Sequence, residues 1–185
     1  LSDIGLNMPR KIILPVHQRD FSAKGGSASG GDGSAEEYAH RKAKEVWQKF
    51  GGPWTVKTFT KESDMGIHAA ETFPELVSAI LDGVRHQESM LVEELIGGES
   101  TATHSVANFR NEDVYVFPVM NISKQYKLKL EDVTRELHHH LGVTHYLHSK
   151  FTVHPNRGIF VTDISFSPDL KEGSHFDEVC KSVGA

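Results

Sequence analysis

The stretch PWTVKTFTKESDMGIHAAETFPELVSAI (Pro53–Ile80), followed by MLVEELIGGES (Met90–Ser100), contains the strongest local structural signals of the chain. Its opening residues, Trp54–Phe59, alternate between apolar and polar types, which is typical of a half-buried strand. Further along, Thr72 is followed by Glu75 at the spacing of a capping box, which marks the start of a helix. The second stretch opens with an apolar run that is typical of a strand. Together they predict a strand, a helix and a further strand in that order.

Outward from these stretches, the same signals predict the remaining secondary structure. Helices are predicted at Ala35–Phe50, Thr72–Val84, Leu130–Leu141 and His175–Val183, and strands at Lys11–Val16, Trp54–Phe59, Met90–Ile96, Ala102–Phe109, Val114–Met120, His148–His154 and Gly158–Ile164. Most of the strands follow one another as hairpins, with the helices between groups of strands. This order predicts an α+β fold rather than the regular alternation of a doubly wound sheet.

The residues before the first predicted helix have a composition of their own. The segment Gly25–Ser34, GGSASGGDGS, offers almost no side chain to bury, which predicts a flexible surface loop. A phosphate-binding loop of the Walker type needs a Lys after its glycines, and this segment contains none. Ser34 is the predicted N-cap of the helix that follows. The predicted organisation is an N-terminal strand segment over 1–24, this loop over 25–34, a first lobe over 35–98 and a second lobe over 99–185.

The composition argues against several classes of protein. The 185 residues carry a formal net charge of -5 without a dense Lys/Arg block, which argues against a nucleic-acid partner. No apolar run reaches the roughly 20 residues of a membrane span, and no signal peptide is recognisable, so we expect a cytoplasmic protein without a membrane partner. The single cysteine, Cys180, cannot form an internal disulfide.

Twelve histidines raise the question of a metal site. His138, His139 and His140 are consecutive in a predicted helix, so they point in different directions. His148 and His154 have the even spacing that places them on one face of a strand. The tight ligand pairs typical of zinc sites are missing, and no cysteine accompanies the histidines. Solvated or pH-titrating histidines are therefore the favoured interpretation over a metal site.

The sequence also resembles the ATP-grasp domain of D-alanine–D-alanine ligases. In that family a strand ending in Val-Lys-Pro precedes a loop of the type Ser-Ser-x-Gly, and a strand of the type Val-Glu-Glu-x-Ile-x-Gly follows, as in the two stretches quoted above. The segment HHHLGVTHYLHSKFTVHPNRGIFVTDISFSPDL (His138–Leu170) is similar to the family's closing region, which contains Tyr-Ser-Arg-x-Asp-Phe, a hairpin and Glu-x-Asn-x-x-Pro-Gly. The resemblance covers roughly residues 35–185. It implies an ATP-grasp-like α+β fold of two small lobes, each with an antiparallel sheet and helices, around a nucleotide cleft.

The resemblance implies a set of nucleotide contacts. Lys57 occupies the position of a lysine that contacts adenine or the α-phosphate. Glu93 matches the carboxylate that accepts the adenine amino group, and the backbones of Glu94 and Ile96 would face the purine edge. Ser100 stands where the family has a glutamate for the ribose hydroxyls.

The resemblance also implies contacts to the phosphates. Ser63 and Gly66 occupy the loop that closes over them, with Asp64 between. His148 stands where the family has an arginine that stabilises the transferring phosphoryl group. Ser63 and His148 are therefore the candidate catalytic residues.

Magnesium is the second cofactor that the resemblance implies, beside ATP. The family holds Mg²⁺ with an Asp, a Glu and an Asn, because Mg²⁺ prefers oxygen ligands and bridges phosphate oxygens. The matching positions here are Lys150, Asp163 and Ser165. Asp163 and Ser165 are the candidate metal ligands.

The implied function is an ATP-dependent carboxylate–amine ligase of the D-alanine–D-alanine ligase type, or its ATP-binding portion, that acts through an acyl-phosphate. The alternative is a catalytically silent, divergent ATP-grasp domain used for nucleotide binding or protein interaction. The implied partners are a nucleotide and an amino-acid substrate. The family's amino-terminal substrate domain has no counterpart in the matching segments, so a homodimer or a separate substrate-binding chain is the expected way to complete the reaction.

Overall fold

The computed structural model describes residues 2–16, 31–58 and 67–184. The chain divides into two compact units. The first unit is Arg10–Leu95, and the second combines Leu1–Pro9 with Ile96–Ala185. The chain leaves the first unit after Leu95, a few residues before the lobe boundary expected at 98/99.

Within the described residues, the first unit is a four-stranded antiparallel sheet with two helices. Its elements are β1 (Lys11–Leu14), α1 (Gly31–Lys49), β2 (Trp54–Thr58), β3 (Ile67–Ala70), α2 (Phe73–Arg85) and β4 (Met90–Glu94). The strand order is β1-β4-β2-β3, so β4 and β2 are the central strands. The predictions of β1, β2 and β4 are confirmed. The sequence does not predict β3, because its residues, IHAA, are too few and too small to show an alternating pattern.

One face of this sheet packs against the helices. Trp54 and Val56 on β2, and Met90 and Val92 on β4, point to that face and are fully buried. α2 lies so close to β4 that a β-carbon on Gly83 would overlap the Met90 side chain. Because successive side chains of a strand point to opposite faces, the residues between these four must point away from the helices.

The two helices differ in how well the sequence predicts where they begin. The capping box is confirmed, since the Glu75 N–H donates to Thr72 Oγ1 at 3.4 Å and the Thr72 N–H donates to Glu75 Oε2 at 3.3 Å. The predicted start of α1 after Ser34 is wrong, because α1 already begins at Gly31. The final residues of the predicted loop are therefore helical, since glycine, aspartate and serine are all common at helix starts. Residues 17–30 lie outside the described residues.

Within the described residues, the second unit contains another four-stranded antiparallel sheet and two α-helices. Its elements are β5 (Glu99–Phe109), β6 (Glu112–Val116), α3 (Lys124–His140), β7 (Tyr146–His154), β8 (Gly158–Ser165) and α4 (His175–Ser182). The strand order is β6-β5-β7-β8, with a bulge between Lys150 and Phe151. α3 covers one face of this sheet, where Leu130 and Leu137 join Phe151 in a buried core.

The start of the chain is part of this second unit. The Asn7 N–H donates to the Ile159 carbonyl, and the Val161 N–H donates to the Asn7 carbonyl, both at 2.9 Å. Leu6 is only 2% exposed and belongs to the same core as β7 and β8. Residues near the amino terminus therefore pack beside a strand that lies far away in sequence.

The predicted elements of the second unit are found, with shifted ends. α3 begins at Lys124 rather than Leu130, because the first residues of the helix are mostly exposed and show no apolar period. β6 ends at Val116, before the predicted end at Met120. The α+β class is confirmed. Among the described residues, no helix is both long enough and apolar enough to span a membrane.

Candidate functional site

Lys57 and Glu93 form an ion pair on the face of the first unit's sheet that points away from its helices. Lys57 Nζ lies 2.5 Å from Glu93 Oε2. The two residues are diagonal neighbours, since Lys57 stands opposite Leu91 and Glu93 stands opposite Thr55 in the β2–β4 register. The carboxylate is mostly buried, with 14% of the Glu93 side chain exposed, and the Lys57 side chain is 38% exposed.

The sequence assigns these two residues separate contacts to a nucleotide, and the structure brings them together. Their position follows from the core, because Val56 and Val92 are buried on the other face of the same strands. Lys11 on β1 stands directly opposite Glu93, so this carboxylate has a lysine on each neighbouring strand. The outward face of β1, β4 and β2 is therefore the best-supported candidate for ligand binding in the first unit.

Glu94, the next residue, is fixed by Arg10. Arg10 Nε donates to Glu94 Oε2 at 2.9 Å and Arg10 Nη2 donates to Oε1 at 3.1 Å, a bidentate pair. Glu94 is only 7% exposed. Its carboxylate raises the pKa of Arg10 above the ordinary value through these hydrogen bonds. The Glu94 N–H donates to the Arg10 carbonyl at 2.8 Å. The predicted contact of the Glu94 backbone with a purine stays a prediction.

The remaining nucleotide-binding candidates from this part of the sequence lie in the second unit. Ile96 is buried, at 8% exposed. The hydroxyl of Ser100 on β5 pairs with that of Thr152 on β7 at 2.9 Å. Glu99 accepts hydrogen bonds from the hydroxyl and the backbone N–H of Ser123, each at 2.8 Å, and these bonds lower the pKa of its carboxyl group. Glu99 therefore contacts the residue that immediately precedes α3.

The candidate metal ligands lie on β8 and face a cation on β7. Lys150 stands opposite Asp163, with its Nζ 3.5 Å from Asp163 Oδ2, and His148 stands opposite Ser165. The Ser165 hydroxyl donates to the backbone carbonyl two residues ahead, at 3.3 Å. Both charged side chains are about half exposed, at 55% for Lys150 and 53% for Asp163.

This donor set does not fit magnesium. Mg²⁺ needs oxygen ligands in near-octahedral geometry, usually with carboxylates among them. β7 contains no carboxylate, and the one on β8, Asp163, is already faced by the ammonium group of Lys150. No group of three or more His, Cys, Asp and Glu among the described residues is arranged to hold a metal ion. The arrangement of Asp163 and Ser165 therefore does not support their predicted role as magnesium ligands.

A buried histidine, His104, adjoins this face and was not singled out from the sequence. His104 is 3% exposed, and its ring stacks on that of His148 with centroids 4.8 Å apart. Its Nδ1 lies 2.6 Å from the Tyr146 hydroxyl, and its Nε2 lies 2.7 Å from Nδ1 of His175 at the start of α4. No local sequence signal indicates His104, because its position opposite His148 depends on the register between β5 and β7.

Burial, reinforced by neighbouring charges, favours the neutral forms of His104 and His148. Burial, followed by the charges of His148 and His175, lowers the pKa of His104 to about 3. Burial raises the pKa of the Tyr146 hydroxyl, so it remains protonated. The pKa of His148 is lowered by burial and then by the charge of Lys150. His148 therefore offers a neutral imidazole, and not a cation, at the position where the resemblance expected an arginine.

The prediction that the histidines are solvated is wrong for His138. Its side chain is fully buried, its Nδ1 lies 2.8 Å from the Ser105 hydroxyl, and burial lowers its pKa. The signal was in the sequence, because Leu130, Thr134 and His138 follow one another at the four-residue spacing of a buried helix face.

The loop candidates cannot be placed in the same way. Ser63, Asp64 and Gly66 lie outside the described residues. Their predicted contacts to phosphate therefore stay predictions.

Comparison with known proteins assigns the chain to a family. A model of the family described as D-ala D-ala ligase C-terminus matches residues 32–131, more than half of the chain. The D-alanine–D-alanine ligase of Legionella pneumophila (strain Corby) is 44% identical over 54 residues, which are 29% of this chain and 15% of that protein.

Solved structures agree on the fold. D-alanyl-alanine synthetase A from Vibrio cholerae O1 biovar eltor str. N16961 superposes with a TM-score of 0.69 at 14% identity, covering 100% of this chain and 57% of that chain. A D-alanine–D-alanine ligase from Bacillus anthracis, solved in complex with ATP, gives a TM-score of 0.64 at 14% identity, covering 99% of this chain and 57% of that chain. The fold is ATP-grasp-like, and this chain spans little more than half the length of these solved proteins.

Proposed function

This chain belongs to the D-ala D-ala ligase C-terminus family, and from that premise we propose that it is the ATP-binding portion of an ATP-dependent carboxylate–amine ligase. In the proposed reaction, the γ-phosphate of ATP passes to a substrate carboxylate, and an amine then displaces phosphate from the acyl-phosphate to form an amide. The proposed substrates are amino acids, with D-alanine first among them because the matched relatives are named for it.

The observation that carries the proposal is the ion pair of Lys57 and Glu93. An ammonium group and a carboxylate lie 2.5 Å apart on the outward face of two central strands. Together they offer a nucleotide a cationic donor for phosphate or a ring nitrogen, and an anionic acceptor for an exocyclic amino group. Because Glu93 is largely shielded from water, a hydrogen bond to it is stronger than one to an exposed carboxylate.

Several roles in this reaction belong to the same proposal. Ser63 and Gly66 are proposed phosphate contacts. His148 is proposed to face the transferring phosphoryl group as a neutral hydrogen-bond donor, in keeping with its lowered pKa. The carboxylate-binding part of the ligase is proposed to come from sequence beyond this match or from another chain.

Calorimetric titration with ATP, followed by a phosphate-release assay with a panel of amino acids that includes D-alanine, tests the proposal. We expect saturable ATP binding, and phosphate release that depends on an amino acid once a substrate-binding partner is supplied. Absence of binding at millimolar ATP, with and without Mg²⁺, would remove nucleotide binding as the function.

One observation favours a second candidate, a catalytically silent nucleotide-binding domain. Lys150 stands opposite Asp163, so a cation faces the carboxylate that the ligase reaction would use to hold magnesium. Saturable ATP binding without phosphate release, across the amino-acid panel and with a supplied substrate domain, would select this candidate over the ligase.

A further inference from the structure

The β7–β8 pair presents no net negative charge to a metal ion. Along this part of the sheet, His148 stands opposite Ser165 and Lys150 stands opposite Asp163. The charges of Lys150 and Asp163 cancel, and His148 is held neutral by burial and by the charge of Lys150. The face therefore lacks the excess negative charge that would draw a divalent cation out of water.

The pair of Lys150 and Asp163 is also easy to open. Their closest atoms are 3.5 Å apart, and each side chain is more than half exposed. Exposed ion pairs of this kind contribute only about 0–1 kcal/mol, because water solvates both partners. A ligand with a higher charge density, such as a phosphate group, can therefore recruit the ammonium group of Lys150 at small cost.

Hydroxyl and imidazole groups stand beside that ammonium group. Ser165 and His148 are opposite each other one step along the two strands, and both side chains are partly exposed. His148 is held in place by its ring stack on the buried His104. A phosphate group at Lys150 would thus meet one cation and two neutral hydrogen-bonding groups, while the Asp163 carboxylate is exposed enough to turn into solvent.

We infer that this chain binds the polyphosphate of ATP without a divalent cation, because Lys150 supplies the positive charge on the β7–β8 face that a bound metal ion would otherwise supply. This inference rests on the proposed nucleotide-binding function. The ligand class is a nucleoside triphosphate in its metal-free form.

The test is calorimetric titration of the full chain with ATP, once in EDTA and once in excess Mg²⁺. The inference expects metal-free ATP to bind with a dissociation constant no more than about twofold weaker than that of Mg-ATP. Binding that disappears in EDTA and returns with Mg²⁺ leaves the proposed function intact and overturns the inference. Lack of binding under both conditions overturns both.

Variants at Lys150 locate the effect. Lys150→Ala should weaken metal-free ATP binding by about tenfold or more, since a charge-assisted contact is lost. Lys150→Arg should retain binding, and Lys171→Ala, an exposed lysine of the same unit, should behave as the wild type. Unchanged affinity for metal-free ATP in Lys150→Ala, with an unchanged circular dichroism spectrum, contradicts the inference.

Lys150→Asp tests the same idea in the opposite direction. The variant replaces the ammonium group opposite Asp163 with a second carboxylate. The two carboxylates together offer oxygen ligands for Mg²⁺. We expect ATP binding by this variant to become dependent on Mg²⁺. Equal binding with and without Mg²⁺ in Lys150→Asp would mean that this face does not contact the phosphates, and would overturn the inference.

Discussion

Lys57 Nζ and Glu93 Oε2 lie 2.5 Å apart across the two central strands of the first unit's sheet. Each residue is the other's partner before any ligand arrives. A nucleotide that binds here must therefore either add to this pair or replace it, and in both cases its affinity depends on both charges.

Replacement of Lys57 with Ala should weaken ATP binding by about tenfold or more, because one charge-assisted contact is lost and Glu93 loses the cation that its carboxylate contacts. Calorimetric titration measures the change. The matched control is Lys44→Ala on α1, an exposed lysine on an element that packs on the opposite face of the sheet. Equal affinities of Lys57→Ala and Lys44→Ala would place the nucleotide elsewhere.

The pair of Arg10 and Glu94 predicts an asymmetry in stability. Arg10→Met removes both hydrogen bonds of a cation to a buried carboxylate and should reduce the free energy of unfolding by about 2–4 kcal/mol. Glu94→Gln leaves an arginine that is 55% exposed and can be solvated, so its cost should be about 1 kcal/mol.

Urea unfolding of the two single variants and the double variant checks this asymmetry. The double variant should lose less stability than the sum of the single losses, because the two residues contact each other. A Glu94→Gln variant that is less stable than Arg10→Met would contradict the prediction.

Stability should fall in mild acid because of His104. Its pKa is about 3 in the folded protein and near its ordinary 6.5 in the unfolded chain, so between these values the unfolded chain binds a proton that the folded protein does not. The stabilisation is complete above about pH 6.5 and is lost progressively as the pH falls toward 3. The groups that face His104 are Tyr146 and His148 on β7, and His175 on α4.

Urea unfolding of wild type and His104→Gln over a series of pH values between 7.5 and 5 measures this effect. His104→Gln should be less stable than wild type at the highest pH, yet lose less stability as the pH falls. His145→Gln, at an exposed histidine of the same unit, is the matched control for loss of an imidazole. The same pH dependence in His104→Gln as in wild type would assign the titration to another group.

Gly83→Ala should destabilise the first unit. The added methyl group would overlap Met90 between α2 and β4, and overpacking of this kind costs about 1–3 kcal/mol. Gly51→Ala is the control, since no atom lies within 4 Å of the place that its β-carbon would take. Thermal unfolding should show a lower midpoint for Gly83→Ala alone. Because Ala also favours the helix by about 1 kcal/mol over Gly, a midpoint raised above that of the wild type would show that Met90 moves aside without cost.

The fold could be predicted well where a signal is local. The capping box of Thr72 and Glu75 needs only residues three apart, and it marks the start of α2 correctly. The start of α3 could not be predicted, because Lys124 and the residues after it form a mostly exposed helix turn whose sequence has no apolar period. A strand as short as β3 gives no pattern at all.

The sequence predicted which residues belong to the candidate site better than it predicted their contacts. Lys57 and Glu93 were both indicated, but their pairing depends on the register between β2 and β4, which no local signal specifies. His104 was missed because it becomes informative only when β5 lies beside β7 and α4 reaches the same face. The sequence shows that Lys150 departs from the family pattern, but only the register between β7 and β8 shows that it faces Asp163.

The pairing of Asn7 with Ile159 and Val161 has a consequence for how the chain is made on the ribosome. The first unit is one continuous segment, Arg10–Leu95, so it can acquire all of its contacts while the rest is still being synthesised. The Asn7 backbone forms hydrogen bonds with Ile159 and Val161, the neighbours of Phe160 on β8. The first residues of the second unit therefore remain unpaired until β8 is synthesised, some 150 residues later. During translation the nascent chain therefore carries one finished unit between the two separated pieces of an unfinished one.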